Sequence, residues 1–224
     1  MQKFDTPAPV SAVLEVPSGR VEFAATDRAD TTVEISPVDA GKSRDVKVAE
    51  QATVDYADGV LRIVAAAKKR EQLLGASGSV VVKVGLPVGS RVEVKAAATE
   101  LRTAGRLGDV LFDGAYGTVE LDEASAVRLT SAAGDVVVGR LGGSSQISTA
   151  KGDIRIAEAG PGKVVLRTGA GSISVGAAPG VSASLDAGTT HGRIDNGLKN
   201  DGVIELDIHA TTAYGDITAR SLQK

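Results

Sequence analysis

Residues 131–176 read SAAGDVVVGRLGGSSQISTAKGDIRIAEAGPGKVVLRTGAGSISVG and contain one short pattern three times. Gly134-Asp135-Val136, Gly152-Asp153-Ile154 and Gly171-Ser172-Ile173 each open a stretch in which apolar residues alternate with others. Alternation with a period of two is typical of a β-strand, because successive side chains point to opposite faces. The stretch therefore predicts short strands separated by turns that recur at an even spacing.

The same turn pattern, a glycine followed by a polar residue or arginine and then valine or isoleucine, extends beyond this stretch. Its glycines are Gly108, Gly117, Gly134, Gly152, Gly171, Gly192 and Gly215, and their successive spacings are 9, 17, 18, 19, 21 and 23 residues. A cadence of roughly two nines with lengthening loops indicates a repeat fold. We expect the glycine to supply a positive φ at each turn and the following aspartate to hold the bend by bonding the local backbone.

The composition and the cadence together predict an all-β protein. Hydrophobic residues make up 42% of the chain but aromatic residues only 3%, so valine, isoleucine, leucine and alanine must fill the core, which suits thin and regular layers. We predict a β-solenoid, or β-helix-like repeat, with strands stacked about 4.8 Å apart. The alternative is an antiparallel β-meander roll or sandwich, in which each glycine turn closes a hairpin.

The N-terminal third departs from the cadence. We predict an N-terminal β region or cap over residues 1–86 and the solenoid over residues 87–224, unless the two form one continuous domain. Residues 45–66 are interpreted as strands, with a hairpin turn at Asp58-Gly59. Residues 65–78 are the best helix candidate, and the segment 200–224 is interpreted as a cover for the last coil.

The stretch VVVKVGLPVGSRVEVKAAATELRTAGRLGDVLFDGAYGTVEL, residues 80–121, resembles the bacterial "putative adhesin" family of β-strand-repeat proteins, a domain of unknown function. The resemblance rests on the step Leu86-Pro87-Val88-Gly89-Ser90 and the serial glycine turns after it, and it covers about residues 10–220. It implies an all-β repeat fold and a non-enzymatic, surface or envelope-related role. Many relatives carry membrane segments or further domains, and we expect neither in this protein.

The sequence does not predict an enzyme. It has no cysteine and only two histidines, His191 in a turn and His209 facing outward on a strand. There is no nucleophile elbow, P-loop or pair of histidines at metal-ligand spacing. The carboxylates Asp113, Glu120, Asp122 and Glu123 lie close in sequence and leave open a carbohydrate-binding or carbohydrate-active protein, although a sugar groove without tryptophan is unusual. We therefore predict no catalytic residue and no residue that binds a cofactor.

A row of aspartates at the repeated turns suggests a calcium ladder as an alternative. Its members are Asp109, Asp135, Asp153 and Asp216. Calcium requires six to eight oxygen ligands, and the row is interrupted by Ser172 and by the cation of Arg193. We therefore predict no metal site.

The charge and the hydropathy pattern limit the partners. The formal net charge of −3 gives no general attraction to nucleic acid. No apolar run reaches the roughly 18 residues of a membrane span, and no signal peptide is visible, so we expect a cytoplasmic protein. The cluster Lys68-Lys69-Arg70 is interpreted as a solvated loop, and Tyr116 and Tyr214 as corner packing or as anchors for a partner. The predicted function is a non-catalytic scaffold that binds an unknown protein partner, and the alternative is a self-assembling filament.

Overall fold

A computed structural model describes residues 1–65 and 78–223. These residues form eighteen β-strands and a single α-helix, which confirms the predicted all-β class. The chain divides into two compact units, Met1–Gly117 and Thr118–Lys224, and each is described here by itself. The boundary predicted near Leu86-Pro87 stays a prediction.

The first unit contains eight strands and the helix. They are β1 (Gln2–Asp5), β2 (Ser11–Thr26), β3 (Asp30–Pro37), α1 (Ser43–Gln51), β4 (Thr53–Ala57), β5 (Val60–Val64), β6 (Val80–Pro87), β7 (Arg91–Ala104) and β8 (Arg106–Tyr116). Strand β2 lies between parallel neighbours, with β5 and β6 on one side and β7 on the other. Strand β8 continues the parallel ladder from β7, whereas β1, β3 and β4 pair in the antiparallel sense.

The hairpin predicted at Asp58-Gly59 is confirmed. Strands β4 and β5 pair antiparallel on either side of the two residues, whose φ angles are 51° and 77°. Positive φ at both central residues gives a two-residue turn the twist that matches the flanking strands.

The prediction that strands begin at residue 45 is wrong, because Ser43–Gln51 form the helix α1. The alternation of Val46 and Val48 suits a strand, but Asp45 and Val48 are the buried residues, three apart on one helical face. Asp45 Oδ1 accepts a hydrogen bond of 2.9 Å from the Ser79 N–H, and so ties the helix to the residue before β6. The helix candidate at 65–78 falls on residues 66–77, outside the described part of the chain.

The second unit contains ten strands. They are β9 (Val119–Ala133), β10 (Val136–Leu141), β11 (Ser145–Lys151), β12 (Ile154–Ala159), β13 (Gly162–Ala170), β14 (Ile173–Ala177), β15 (Ala183–His191), β16 (Ile194–Gly197), β17 (Leu206–Tyr214) and β18 (Ile217–Ser221). The first part of β9, residues 119–124, pairs in parallel with β10. The rest of β9 and the other nine strands form five rungs, each made of a strand, a glycine corner and a second strand. In chain order the rungs comprise residues 127–141, 145–159, 162–177, 183–197 and 206–221.

The rungs stack in parallel and in register, which confirms the predicted solenoid. Val136 lies beside Ile154, and Ile154 beside Ile173, so like residues form buried columns. Each column buries aliphatic side chains between other aliphatic side chains above and below, and this is how a chain without tryptophan completes its core.

The order of the rungs in the stack differs from their order in the chain. The fifth rung lies between the third and the fourth: β17 pairs with β13 on one side and with β15 on the other, and β18 pairs with β14 and β16. The interpretation of residues 200–224 as the cover of the last coil is therefore wrong. The cover is the fourth rung, residues 183–197, which we call the terminal rung.

Candidate functional site: the glycine corners and the terminal rung

The corners of the second unit are ladders of glycine. Gly134, Gly152, Gly171 and Gly215 have φ angles of 142°, 138°, 154° and 145°, which confirms the positive φ expected at these four turns, whereas the expectation is wrong at Gly108 and Gly192, whose φ angles lie outside the positive region. A β-carbon on Gly152 would overlap the carbonyl oxygen of Gly134 in the neighbouring rung. Glycine is therefore required both by the backbone conformation and by the close approach of adjacent rungs.

The residue after each corner glycine bonds the next rung, and the predicted bond to the local backbone is wrong. Asp135 Oδ1 accepts from the N–H of Asp153 at 2.9 Å, and Asp153 Oδ1 accepts from the N–H of Ser172 at 2.7 Å. Ser172 Oγ accepts from the N–H of Asp216 at 3.3 Å, and Asp216 Oδ1 from that of Arg193 at 2.8 Å. This acceptor ladder follows the stack and ends on the terminal rung at Arg193.

A hydroxyl side chain lies three residues before each corner glycine, buried in every rung but the terminal one, and it escaped the sequence analysis. Thr168 Oγ1 donates to the Gly152 carbonyl at 2.9 Å, and Thr212 Oγ1 donates to the Gly171 carbonyl at 2.9 Å. On the terminal rung, Thr189 Oγ1 donates to the Gly215 carbonyl at 3.0 Å. The signal was present in the sequence, since serine or threonine occupies this position in all five corners.

We expect Asp153→Ala to lower the free energy of unfolding by about 0.5–2 kcal/mol, because the N–H of Ser172 loses its acceptor, as in the loss of a helix cap. Asp153→Asn keeps an amide oxygen at the same place and is the matched control. Urea denaturation of the two variants measures the difference. Equal losses for the two would show that the hydrogen bond contributes nothing.

The terminal rung is paired on one side only. Within the described residues, β15 pairs only with β17, and β16 pairs only with β18. All four residues of β16 are exposed, and Ile194 at its start keeps 47% of its surface accessible although it continues the isoleucine column of Ile173 and Ile217. An edge of this kind presents backbone donors and acceptors for another strand.

The loop that leaves the terminal rung, residues 198–205, displays two large apolar side chains. Val203 and Ile204 are 73% and 53% exposed. The loop is fixed by hydrogen bonds: the Asp201 N–H donates to Ser182 Oγ at 3.1 Å, and the Ser182 N–H donates to Glu205 Oε2 at 3.2 Å. The hydrogen bonds that Asp201 accepts, first from Ser182, lower the pKa of its carboxyl group.

One histidine belongs to the terminal rung and the other lies on the fifth rung beneath it. The His191 ring stacks on the ring of Tyr214, with centroids 4.8 Å apart and planes inclined by 6°. His209 lies between two carboxylates, with Nδ1 3.2 Å from Asp186 Oδ2 and Nε2 2.9 Å from Asp207 Oδ2. The hydrogen bond from His209 is the main cause of the lowered pKa of Asp207. These contacts join the terminal rung to the fifth rung beneath it.

The carboxylates singled out in the sequence are distributed over both units. Asp113 belongs to β8 in the first unit, while Glu120, Asp122 and Glu123 belong to β9 in the second. Glu123 Oε2 lies 3.3 Å from Arg140 Nη1. In the described residues, no group of three or more His, Cys, Asp or Glu side chains is arranged to hold a metal ion. The Lys68-Lys69-Arg70 cluster lies outside those residues.

The described residues of the first unit line open clefts, and a pair of them are similar in volume. One, of about 450 Å³, contains the 62% exposed Tyr116 beside the ion pair of Arg20 Nε and Glu100 Oε2, which are 3.1 Å apart. The other, of about 440 Å³, includes Arg28 in its wall. The bonds of Arg28 and Lys3 to Asp30 lower the pKa of that carboxyl group to about 2.

None of the described helices has the length and apolar composition that crossing a bilayer demands.

Parallel rungs in register, joined by glycine corners, define a β-solenoid repeat protein. The profile of the Toastrack DUF4097 family matches residues 11–224, so the chain belongs to this family of unknown function, which confirms the resemblance seen in the sequence. A search of the curated proteins finds no match.

Several solved structures are similar over almost the whole chain. A putative adhesin from Bacteroides fragilis is 11% identical, with a TM-score of 0.49, over 97% of this chain and 95% of that one. A putative adhesin from Parabacteroides distasonis is 15% identical, with a TM-score of 0.44, over 97% and 95%. A putative lipid binding protein from the same species is 11% identical, with a TM-score of 0.42, over 100% and 94%.

Proposed function

We propose that the chain is a non-catalytic scaffold that binds another protein through the terminal rung and the 198–205 loop. The observation that carries the proposal is the ordered display of Ile194, Val203 and Ile204 at an open strand edge. The predicted cytoplasmic location stays a prediction.

Two physical properties support protein binding at this surface. The Ala183 N–H at the start of β15 donates to the Lys199 carbonyl at 2.9 Å, and the edge of β16 and the rest of the edge of β15 offer main-chain hydrogen bonds to an added strand, which is a common mode of peptide recognition. Exposed aliphatic side chains held by a hydrogen-bonded loop lose little conformational entropy on binding, and such preorganisation favours affinity.

The electrostatics of the second unit also favour binding over catalysis. Glu123 and Glu158 both contact the guanidinium of Arg140, at 3.3 and 3.6 Å. Acid and base catalysis by a pair of carboxyl groups requires that both face the same substrate and that their pKa values differ, so that one group is protonated while the other is ionised. Carboxylates neutralised by a shared arginine instead stabilise the outer surface of the stack.

Site-directed photo-cross-linking in the source cell tests the proposal. A photoreactive amino acid replaces Val203 or Ile204 in the full chain, and covalent adducts are identified by mass spectrometry. We expect one protein to be captured at both positions. Val137 is the matched control, because it is 38% exposed on β10 in the interior of the stack. Absence of adducts at both loop positions, or equal capture at Val137, would overturn the proposal.

A further inference from the structure

We propose that the partner of the terminal rung is a second copy of this chain, which pairs through β16 in the antiparallel sense across a twofold axis at Ile194. This inference rests on the proposed function and specifies its partner. The product is a closed dimer, since a twofold contact uses the same surface of both copies.

The charges around Ile194 are self-complementary. Arg193 and Asp195 flank it on either side. In an antiparallel pair centred on Ile194, each Arg193 lies opposite the Asp195 of the other copy, and the two Ile194 side chains lie opposite each other. One twofold contact thus covers a half-exposed isoleucine and forms two opposite-charge pairs.

The terminal rung disfavours the other mode of self-association, a filament in which a further rung adds in parallel. The acceptor ladder of the corners ends at Arg193, which offers a guanidinium where the inner rungs offer a carboxylate or hydroxyl oxygen. A parallel rung added here would lack the acceptor that its corner N–H finds elsewhere in the stack.

The core column beside this corner ends in a polar side chain. Ile156 lies beside Val175, Val175 beside Ala219, and Ala219 beside Asn196. The column therefore decreases in apolar volume and finishes with an amide. Asn196 Oδ1 accepts a hydrogen bond of 3.1 Å from the Leu198 N–H, and another parallel rung would bury the polar NH2 group of the same amide in an apolar column, which is unfavourable. A single antiparallel contact at the edge leaves Asn196 at the surface.

Sedimentation equilibrium over a range of concentrations tests the inference with a charge reversal. We expect the unmodified chain to dimerise reversibly, and Arg193→Asp or Asp195→Arg alone to raise the dimer dissociation constant by at least about tenfold, because like charges then face each other. The double variant Arg193→Asp/Asp195→Arg restores opposite charges and is expected to recover dimerisation. Arg155→Asp, an equal charge change at an exposed position on β12 in an inner rung, is the control and should dimerise normally.

Recovery by the double variant separates the charge pairing from a loss of folding in the single variants, and circular dichroism checks the fold of each. A monomer at every concentration, single variants that dimerise normally, or a double variant that stays monomeric would overturn the twofold contact. Mass that grows without limit with concentration would overturn it in favour of a filament. Capture of a different protein from Val203 while the purified chain stays monomeric would refute the dimer and leave the proposed function standing.

Discussion

Gly152→Ala is expected to lower the free energy of unfolding by about 2–6 kcal/mol. Two costs combine at this corner: a non-glycine residue held at a φ of 138° is strained by about 1–3 kcal/mol, and forcing an additional carbon into packed surroundings costs about 1–3 kcal/mol more. The second cost arises because the new β-carbon would overlap the carbonyl oxygen of Gly134. Urea denaturation of the purified variant gives the change.

Two other glycines separate these costs. Gly180 has a φ of 86° and open space where a β-carbon would stand, so Gly180→Ala reports the backbone strain alone. Gly192 lies outside the positive-φ region but its β-carbon would overlap the carbonyl oxygen of Gly215, so Gly192→Ala reports the overlap alone. The corner mechanism requires Gly152→Ala to cost more than either control. A cost equal to that of Gly180→Ala would mean that adjacent rungs do not approach closely at Gly152.

The sequence predicts the local geometry of each rung well, because that geometry depends on neighbours in the chain. Alternating Val136 and Val138 fix a strand, and Gly152 fixes a corner, wherever the rung lies in the stack. The positive φ values and the parallel register therefore followed from period and residue type. The helix α1 did not, because Val46 and Val48 alternate as in a strand and only tertiary contacts bury Asp45 with Val48.

The order of the rungs is not predictable from the repeat, since every rung offers the same pairing pattern to every other. The fifth rung makes the same corner hydrogen bond to the third rung that the fourth rung would make in its place. The reason is that the Thr-x-x-Gly corner occurs in both the fourth and the fifth rungs. The candidate interaction site depends on this order. Ile194 is exposed because the fifth rung lies beneath it and no further rung of the described residues lies above it, whereas its place in the repeat pattern is that of a core residue.

The polar residues of the fourth rung were nevertheless a signal of its terminal place. Arg193 breaks the row of corner oxygens, and Asn196 stands where the inner rungs carry valine, isoleucine or alanine. In the sequence, Arg193 served only to weigh against calcium. In the structure, the acceptor ladder stops at Arg193: its N–H donates to Asp216 Oδ1, but its side chain has no oxygen that could accept from a further rung.

Replacement of two isoleucines of one column tests the order directly. Ile217 is 1% exposed between Ile173 and Ile194, so Ile217→Ala is expected to lower the free energy of unfolding by about 2–5 kcal/mol through lost burial and a residual cavity. Ile194→Ala removes the same atoms from a half-exposed position on the terminal rung, and we expect a loss below about 1 kcal/mol.

Stacking in chain order would reverse the two effects, because Ile194 would then lie inside the column and Ile217 at its end. The comparison is matched in chemistry, so the difference between the two variants reports burial alone. Urea denaturation at a protein concentration below that of self-association gives both values. A larger loss for Ile194→Ala than for Ile217→Ala would contradict the inserted position of the fifth rung and, with it, the open edge on which the proposed contact depends.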